Sequence, residues 1–340
     1  MAESELGVAV VGCGSTAHRR HLPVWAKLAG CRLEAVVSRD AERREAAARE
    51  FGASHAVPDW RALADMPEVQ IVDICTPHPT HAEIACALAA AGKHILCEKP
   101  LAVRPDEALR MVEAARSAGV VLLPFHNMRL LGAARTAVEL LRSDAIGRPR
   151  LIRGVMAHAG PDARDPRRRW FLQATAGGGA VLDLGPHLFD LTAALLDVAP
   201  VRLRAVVRRD PADEVERDAA VDVQFADGAA GHFLISWSMA GGRETQLVVH
   251  GDRGVLRLAL AQDPPAADGS LHSLSMGRGT PGAPEITYPA PTDTLDPCGL
   301  MLRAVRGEPV PLRAEDGLRS VAWIDAVYRS AAADGAWIDL

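Results

Sequence analysis

The stretch LGVAVVGCGSTA, residues 6–17, decides the reading of the chain. Leu6 to Val11 is a short apolar run, and Gly12-Cys13-Gly14-Ser15-Thr16-Ala17 comes next as G-x-G-x-x-A. Each position of that pattern has a physical task. Gly12 permits a tight turn, Gly14 leaves room for a pyrophosphate beside the backbone, and the small Ala17 lets the next helix pack close to its strand. That helix turns its N-terminal N–H groups and the positive end of its dipole toward phosphates. With Ser15 and Thr16 completing it, the turn reads as a dinucleotide cradle. The alternative is a purely structural turn, because the motif alone is a weak signal.

The residues after the turn strengthen the cradle reading. Short apolar runs at Leu33–Val37, Ile71–Cys75, Ile95–Leu96 and Val120–Leu123 alternate with helical spacing at 17–28, 41–51, 81–91 and 105–118. Strands apolar throughout, separated by amphipathic helices, predict a parallel sheet covered on both faces, the doubly wound α/β pattern. Residues 1–125 form this domain in the sequence reading. The run ending at Val37 leads into Ser38-Arg39-Asp40. An NAD site favours a carboxylate there for the ribose hydroxyls. Ser38 with Arg39 suits a 2′-phosphate better, and Asp40 reads as the N-cap of the next helix, which tilts the cofactor toward NADP over NAD.

Beyond Phe125 the periodicity changes. Gly132 to Leu141 reads as a helix, after which strands succeed one another. Ala219–Phe225 with 230–237 around Asp227-Gly228, and Gln246–His250 with Val255–Leu260, make two hairpins. Residues 126–340 are therefore expected as an α+β domain with a mainly antiparallel sheet. Residues 261–296, rich in Pro, Gly, Asp and Ser, read as loop, and Cys298–Val305 and Gly317–Ala333 as helices.

The totals bound the function. The chain has 340 residues, 49% hydrophobic and 24% charged, with a net charge of −5. Nothing in that balance favours nucleic acid or an anionic membrane. Arg167-Arg168-Arg169 is the one basic run, a solvated turn or a contact for a phosphate-bearing ligand. The six cysteines form no C-x-x-C pair and lie mostly in apolar runs, which predicts reduced thiols, no metal site and a cytoplasmic setting. The N-terminus reads as neither signal peptide nor membrane span.

Two further stretches carry chemistry. Cys75-Thr76-Pro77-His78-Pro79-Thr80-His81 and Glu98-Lys99-Pro100 each close an apolar strand, where ligands of doubly wound sheets sit. Lys99 reads either as a surface lysine or as an ammonium near the nicotinamide. In GGGAVLDLGPHLFD, residues 177–190, Asp183 and His187 are spaced i, i+4 and His187 and Asp190 i, i+3, so one helical face can carry all three. Histidine moves protons near neutrality. Trp170, just upstream, suits substrate contact or core packing.

Taken together these motifs resemble the glucose–fructose oxidoreductase / inositol dehydrogenase family (Gfo/Idh/MocA). The resemblance covers nearly the whole chain and implies an N-terminal Rossmann domain and a C-terminal domain with a large open sheet that packs subunits into homodimers or homotetramers. It implies NADP- or NAD-dependent oxidation or reduction of a sugar, cyclitol or related polyol. Gly12, Gly14, Ser15, Thr16, Ala17, Ser38, Arg39, Thr76, Pro77, His81, Glu98 and Lys99 then hold the cofactor. Lys99 matches the lysine that contacts the reacting oxygen, His187 the acid/base and Asp183 the substrate-orienting carboxylate. Either Lys99 or His187 is the immediate proton acceptor. His78 departs from the family's usual Asn, and Asn127 and Arg129 fall in its N-x-R segment. Two other readings share the resemblance: an NAD-dependent glycosidase working through transient oxidation and elimination, and a non-catalytic sugar or nucleotide sensor.

Overall fold

The computed structural model describes residues 5–161, 169–211, 213–239, 242–260, 272–278, 285–288 and 294–340. β1 (Leu6–Val11) leads through a wide, π-wound turn at Ala17–His21 into α1 (Leu22–Trp25), and then come β2 (Cys31–Val37), α2 (Ala41–Phe51) and β3 (His55–Val57). After a 3-10 turn at Trp60–Asp65 come β4 (Ile71–Ile74), α3 (His81–Ala90), β5 (His94–Cys97), α4 (Pro105–Ala118) and β6 (Leu122–Pro124). The six strands form one parallel sheet in the order β3-β2-β1-β4-β5-β6. β1 and β4 are buried along almost their whole length, as strands covered on both faces must be. The order reverses between β1 and β4, and ligands of such sheets bind off the carboxyl ends of strands at that point.

Further along come α5 (Gly132–Arg142), β7 (Pro149–His158), α6 (Ala180–Leu196), β8 (Pro200–Arg208), β9 (Asp218–Phe225), β10 (Ala230–Ser236), β11 (Arg243–Gly251), β12 (Gly254–Leu260), β13 (His272–Arg278) and β14 (Ile286–Tyr288). α7 (Pro297–Val305), α8 (Ala314–Ala332) and β15 (Ile338–Asp339) close the chain. The nine strands make a second sheet, ordered β14-β13-β12-β11-β7-β10-β9-β8-β15. Neighbours are antiparallel except β7 and β10, which run parallel. α5 and α6 pack against this sheet, and Trp323 of α8 meets Phe189 and Phe225. The strands alternate buried and part-exposed residues, the signature of a sheet covered on one face. On the other face Val206, Ala220, Leu234 and Val155 lie side by side on adjacent strands, with Val206 68% exposed.

The chain separates into two compact units, Met1–His126 with Asp296–Val321, and Asn127–Leu295 with Ala322–Leu340. This differs from the contiguous 126–340 domain read from the sequence. Val321 belongs to the hydrophobic core of the parallel sheet, and Gly317 lies so close to Leu101 and Pro124 that a methyl group there would sit 2.8 Å from Leu101 Cδ2. An apolar stripe shows that a helix is buried but not in which core.

The loop read at 261–296 is also corrected, because β13 and β14 lie within it. Only Leu274 and Met276 of β13 are buried, and pairing with β12 holds the serine- and glycine-containing strand in place. Positions 261–271, 279–284 and 289–293 lie outside the described residues, as do Arg167 and Arg168 of the basic run. Arg169 opens a short 3-10 turn to Leu172. One stretch, Ala174–Leu196, has the length and apolar composition of a membrane span, but 78% of its apolar 18-residue window is buried inside the protein, as in a core helix.

Candidate functional site

In the first unit the glycine turn sits at the point where the sheet order reverses. Gly12 has φ +104°, and a Cβ there would lie 2.7 Å from the Cys75 carbonyl oxygen, so only glycine lets the ends of β1 and β4 approach this closely. A Cβ at Gly14 would meet nothing within 4 Å; the space beside its backbone is open, as a pyrophosphate requires. Ala17 is fully buried. Gly12, Gly14, Ser15, Thr16 and Ala17 thus fit a dinucleotide.

At the end of β2 the carboxylate is that of Asp40, which the protein itself engages. Asp40 accepts the Arg43 N–H at 3.1 Å as the N-cap of α2, the role its sequence position implies. Ser38 Oγ accepts the Asp40 N–H, and Arg39 is exposed beside it. The Arg44 guanidinium donates to the carbonyls of Ser38 and Arg39.

Past β4, Thr80 Oγ1 donates to Thr76 Oγ1 at 2.7 Å. His81 is fully buried, with Nδ1 3.0 Å from the Pro100 carbonyl and Nε2 2.8 Å from that of Thr76. Burial lowers its pKa. Both ring nitrogens of His81 face the protein's own backbone carbonyls, and a ring kept neutral by burial donates its one N–H to one of them.

Glu98 is likewise occupied by the protein. Its Oε2 accepts the backbone N–H of Lys99 at 2.9 Å, and its Oε1 lies 3.0 Å from His21 Nε2. His21 Nδ1 lies 2.8 Å from Asp73 Oδ2, which also accepts Trp25 Nε1–H at 2.7 Å. The donor atoms of His21, Asp73 and Cys298 fall within 4.8 Å of one another, close enough for a metal ion. Both ring nitrogens of His21 face carboxylates. Lys99, half-buried, comes after β5 at the carboxyl edge of the sheet.

In the second unit Gly178 and Gly179 lie close against the protein's own atoms. A Cβ on Gly178 would collide with the Phe171 carbonyl. Gly179 has φ +117°, and its Cβ would lie 2.5 Å from Glu216 Oε1. That carboxylate is a long-range cap for α6, which has no capping side chain of its own. Glu216 Oε1 accepts the Val181 N–H at 2.9 Å and the Tyr328 hydroxyl at 3.0 Å, while the Glu216 carbonyl accepts the Ala180 N–H. Two N–H groups that a helix start leaves over are thereby satisfied. Burial raises the Glu216 pKa.

α6 carries Asp183, His187 and Asp190. His158, at the end of β7, was missed by the sequence reading because a lone strand-end histidine carries no local signal. Its Nδ1 accepts the Gly160 N–H at 2.8 Å, so a neutral ring bears its proton on Nε2, 4.0 Å from Asp183 Oδ2. Asp190 is gripped by Arg129 through two parallel hydrogen bonds, Nε to Oδ2 at 2.8 Å and Nη2 to Oδ1. Arg129 thus has a defined partner, and Asp190 a structural role. The Trp170 ring stacks on Phe171 at 3.8 Å.

Residues 6–126 match the family model described as oxidoreductase family, NAD-binding Rossmann fold, and residues 134–257 match the GFO/IDH/MocA C-terminal domain. The chain belongs to the Gfo/Idh/MocA oxidoreductase family. As a member it is an NAD(P)-dependent oxidoreductase. A levoglucosan dehydrogenase of Pseudarthrobacter phenanthrenivorans is 38% identical over 151 residues, 44% of this chain and 39% of that enzyme's length. A 1,5-anhydro-D-fructose reductase of Ensifer adhaerens is 33% identical over 240 residues, 69% of this chain and 71% of that enzyme. The crystal structure of GenD2 from gentamicin A biosynthesis, in complex with NAD, matches with a TM-score of 0.82 at 29% identity, over 99% of this chain and 97% of that one.

Proposed function

We propose that this Gfo/Idh/MocA protein transfers a hydride reversibly between NADP (or NAD) and a secondary alcohol or ketone of a sugar, aminosugar or cyclitol. The observation that carries the reading is α6, where Asp183 and His187 stand one turn apart and Asp183 lies 4.0 Å from His158, in a chain whose other unit holds an open nucleotide cradle. The bound nucleotide supplies the hydride chemistry, and the protein supplies orientation and proton handling. Gly12, Gly14, Ser15 and Thr16 hold the pyrophosphate, and Ser38 and Arg39 the adenosine ribose and its 2′-phosphate. Lys99 stabilises alkoxide character at the reacting oxygen. Asp183 orients the substrate, and His187 takes up the proton released on oxidation or returns it on reduction. The sugar class is supported by relatives named for levoglucosan and 1,5-anhydro-D-fructose. The six free thiols suit a cytoplasmic setting, and the uncovered face of the nine-stranded sheet suits a homodimer or homotetramer.

Calorimetric titration with NADPH and NADH, then a polyol and aminosugar screen read at the nicotinamide absorbance band, tests the proposal. Binding of neither nucleotide would refute it. A cofactor retained through purification with no net turnover would point to the glycosidase chemistry instead.

A further inference from the structure

The hydrogen-bond pattern around His21 reaches further than the cofactor cradle. His21 ends the π-wound turn that begins at Ala17, so it belongs to the segment the glycine motif launches. The wider winding places the ring over the sheet, where it is fully buried and lies 4.1 Å from the Phe125 ring. Both of its nitrogens end on carboxylates: Nδ1 on Asp73 of β4 and Nε2 on Glu98, one residue past β5. A carboxylate ion only accepts, so hydrogen bonds at both positions need an imidazolium. The second oxygen of Glu98 holds the backbone N–H of Lys99. A continuous chain of hydrogen bonds therefore runs from the helix of the glycine turn, through His21 and Glu98, to the main chain of Lys99.

We propose that His21 is a positioning residue for Lys99: as a permanently charged clasp between Asp73 and Glu98, it fixes the Glu98–Lys99 peptide relative to the glycine turn and so aims the lysine. This rests on the role given to Lys99 under the proposed function. A neutral histidine would require one of the two buried carboxyls to keep its proton and donate it to the bare ring nitrogen, whereas the surroundings of Glu98 favour its ionised form. Around this network the charged groups are Asp73, Glu98, Lys99 and Arg20, while burial keeps the thiols of Cys75, Cys97 and Cys298 protonated. Asp73 and Cys75 approach from β4 and its exit, Cys97, Glu98 and Lys99 from β5 and its exit, Arg20 from its own turn, and Cys298 from α7. Burial is the largest single influence and opposes a charge on His21, but Asp73 and Cys75 acting together raise the ring's pKa well above the usual histidine range. Burial also opposes ionisation of Glu98, yet the hydrogen bond and charge of His21, helped by Lys99 and Arg20, bring it to about 2.

The test is side-chain NMR on the whole protein, labelled with 15N in the histidine rings and 13C at lysine Cε. The signals are assigned by their loss in His21→Gln and Lys99→Ala. The expected result is a His21 ring with both nitrogens protonated at pH 8.5. The Lys99 signal in His21→Gln is expected to move toward the value of a freely mobile lysine, while NADPH affinity stays within about threefold. A His21 ring carrying one proton at pH 8.5 overturns the proposal. So does a Lys99 signal unchanged by the substitution. Should His21→Gln fail to fold, Glu98→Gln carries the second arm with the same two outcomes. Failure of the oxidoreductase reading is separate: it shows as absence of NADPH and NADH binding, and both NMR signals still decide the clasp in the nucleotide-free protein.

Discussion

Glu216 accepts the Val181 N–H at 2.9 Å across 35 residues of chain, so the helix that carries Asp183 and His187 is started by a side chain that comes after it in sequence. Losing a cap costs about 1–2 kcal/mol, and leaving buried partners unsatisfied about 1–3 more. Glu216→Ala should therefore lower unfolding stability by about 2–5 kcal/mol and reduce turnover at 25 °C. Glu216→Gln, which keeps an acceptor for Val181 and Tyr328, should recover at least half of that stability. Urea titration of the two variants decides; equal losses would show that the cap is not the source.

Lys99→Ala should abolish turnover, with cofactor affinity kept within about tenfold, because the lysine acts on the developing alkoxide more than on the bound nucleotide. Wild-type rates in that variant would remove Lys99 from the mechanism.

Cofactor choice should reside at the end of β2. Charge-assisted hydrogen bonds contribute about 1.5–3 kcal/mol, so Arg39→Ala should weaken NADPH binding by roughly 10–100-fold and leave NADH binding nearly unchanged. Ser38→Asp should favour NADH by placing a carboxylate where the ribose hydroxyls arrive. Isothermal titration of both nucleotides reads the ratio, and a wild-type preference for NADH would contradict it.

Stability should vary with pH in opposite senses at different histidines. Burial lowers the pKa of His81 and of His94, whose Nδ1 accepts the Val121 N–H. Their contribution is present above the unfolded value of about 6.5 and is lost as pH falls through the lowered folded values, with a slope of at most about 1.4 kcal/mol per pH unit for each. His21 works the other way: its raised pKa stabilises fully below about 6.5 and fades as pH rises through the folded value. Glu98, lowered to about 2, stabilises above the ordinary glutamate range and fades as pH falls toward 2. Melting temperatures of His81→Asn between pH 7 and 5 should fall less steeply than those of the parent.

The uncovered sheet face should be where copies of the chain associate. Leu234→Glu or Val206→Glu, each placing a charge within the apolar row on that face, should lower the mass seen by light scattering while leaving NADPH binding intact. A monomeric parent protein would refute this directly.

Much of the first unit could be read from sequence, because a parallel sheet writes its strands as unbroken apolar runs and its nucleotide turn as fixed glycine spacing. β3, with two exposed residues among its three, has no such signature and is held by pairing with β2. The helical face of Asp183, His187 and Asp190 was visible in residue spacing. Its cap was not, since Glu216 is brought to Ala180 and Val181 only by the fold of the second unit. The same limit applies to Glu98 and His81. Their place in the motifs was legible, but a motif does not tell whether a side chain faces a ligand or a neighbouring carbonyl.

Val321 in the core of the parallel sheet, and Gly317 against Leu101 and Pro124, set an order on biosynthesis. A ribosome that has released residues 1–126 has released every strand of that sheet, but not the residues that close its core. The nucleotide-binding unit must wait, incomplete, while the whole nine-stranded sheet except β15 is made. A truncated gene ending at β6 should accordingly yield an aggregation-prone fragment. Grafting residues 296–321 onto it through a short linker should be the minimal way to produce that unit alone.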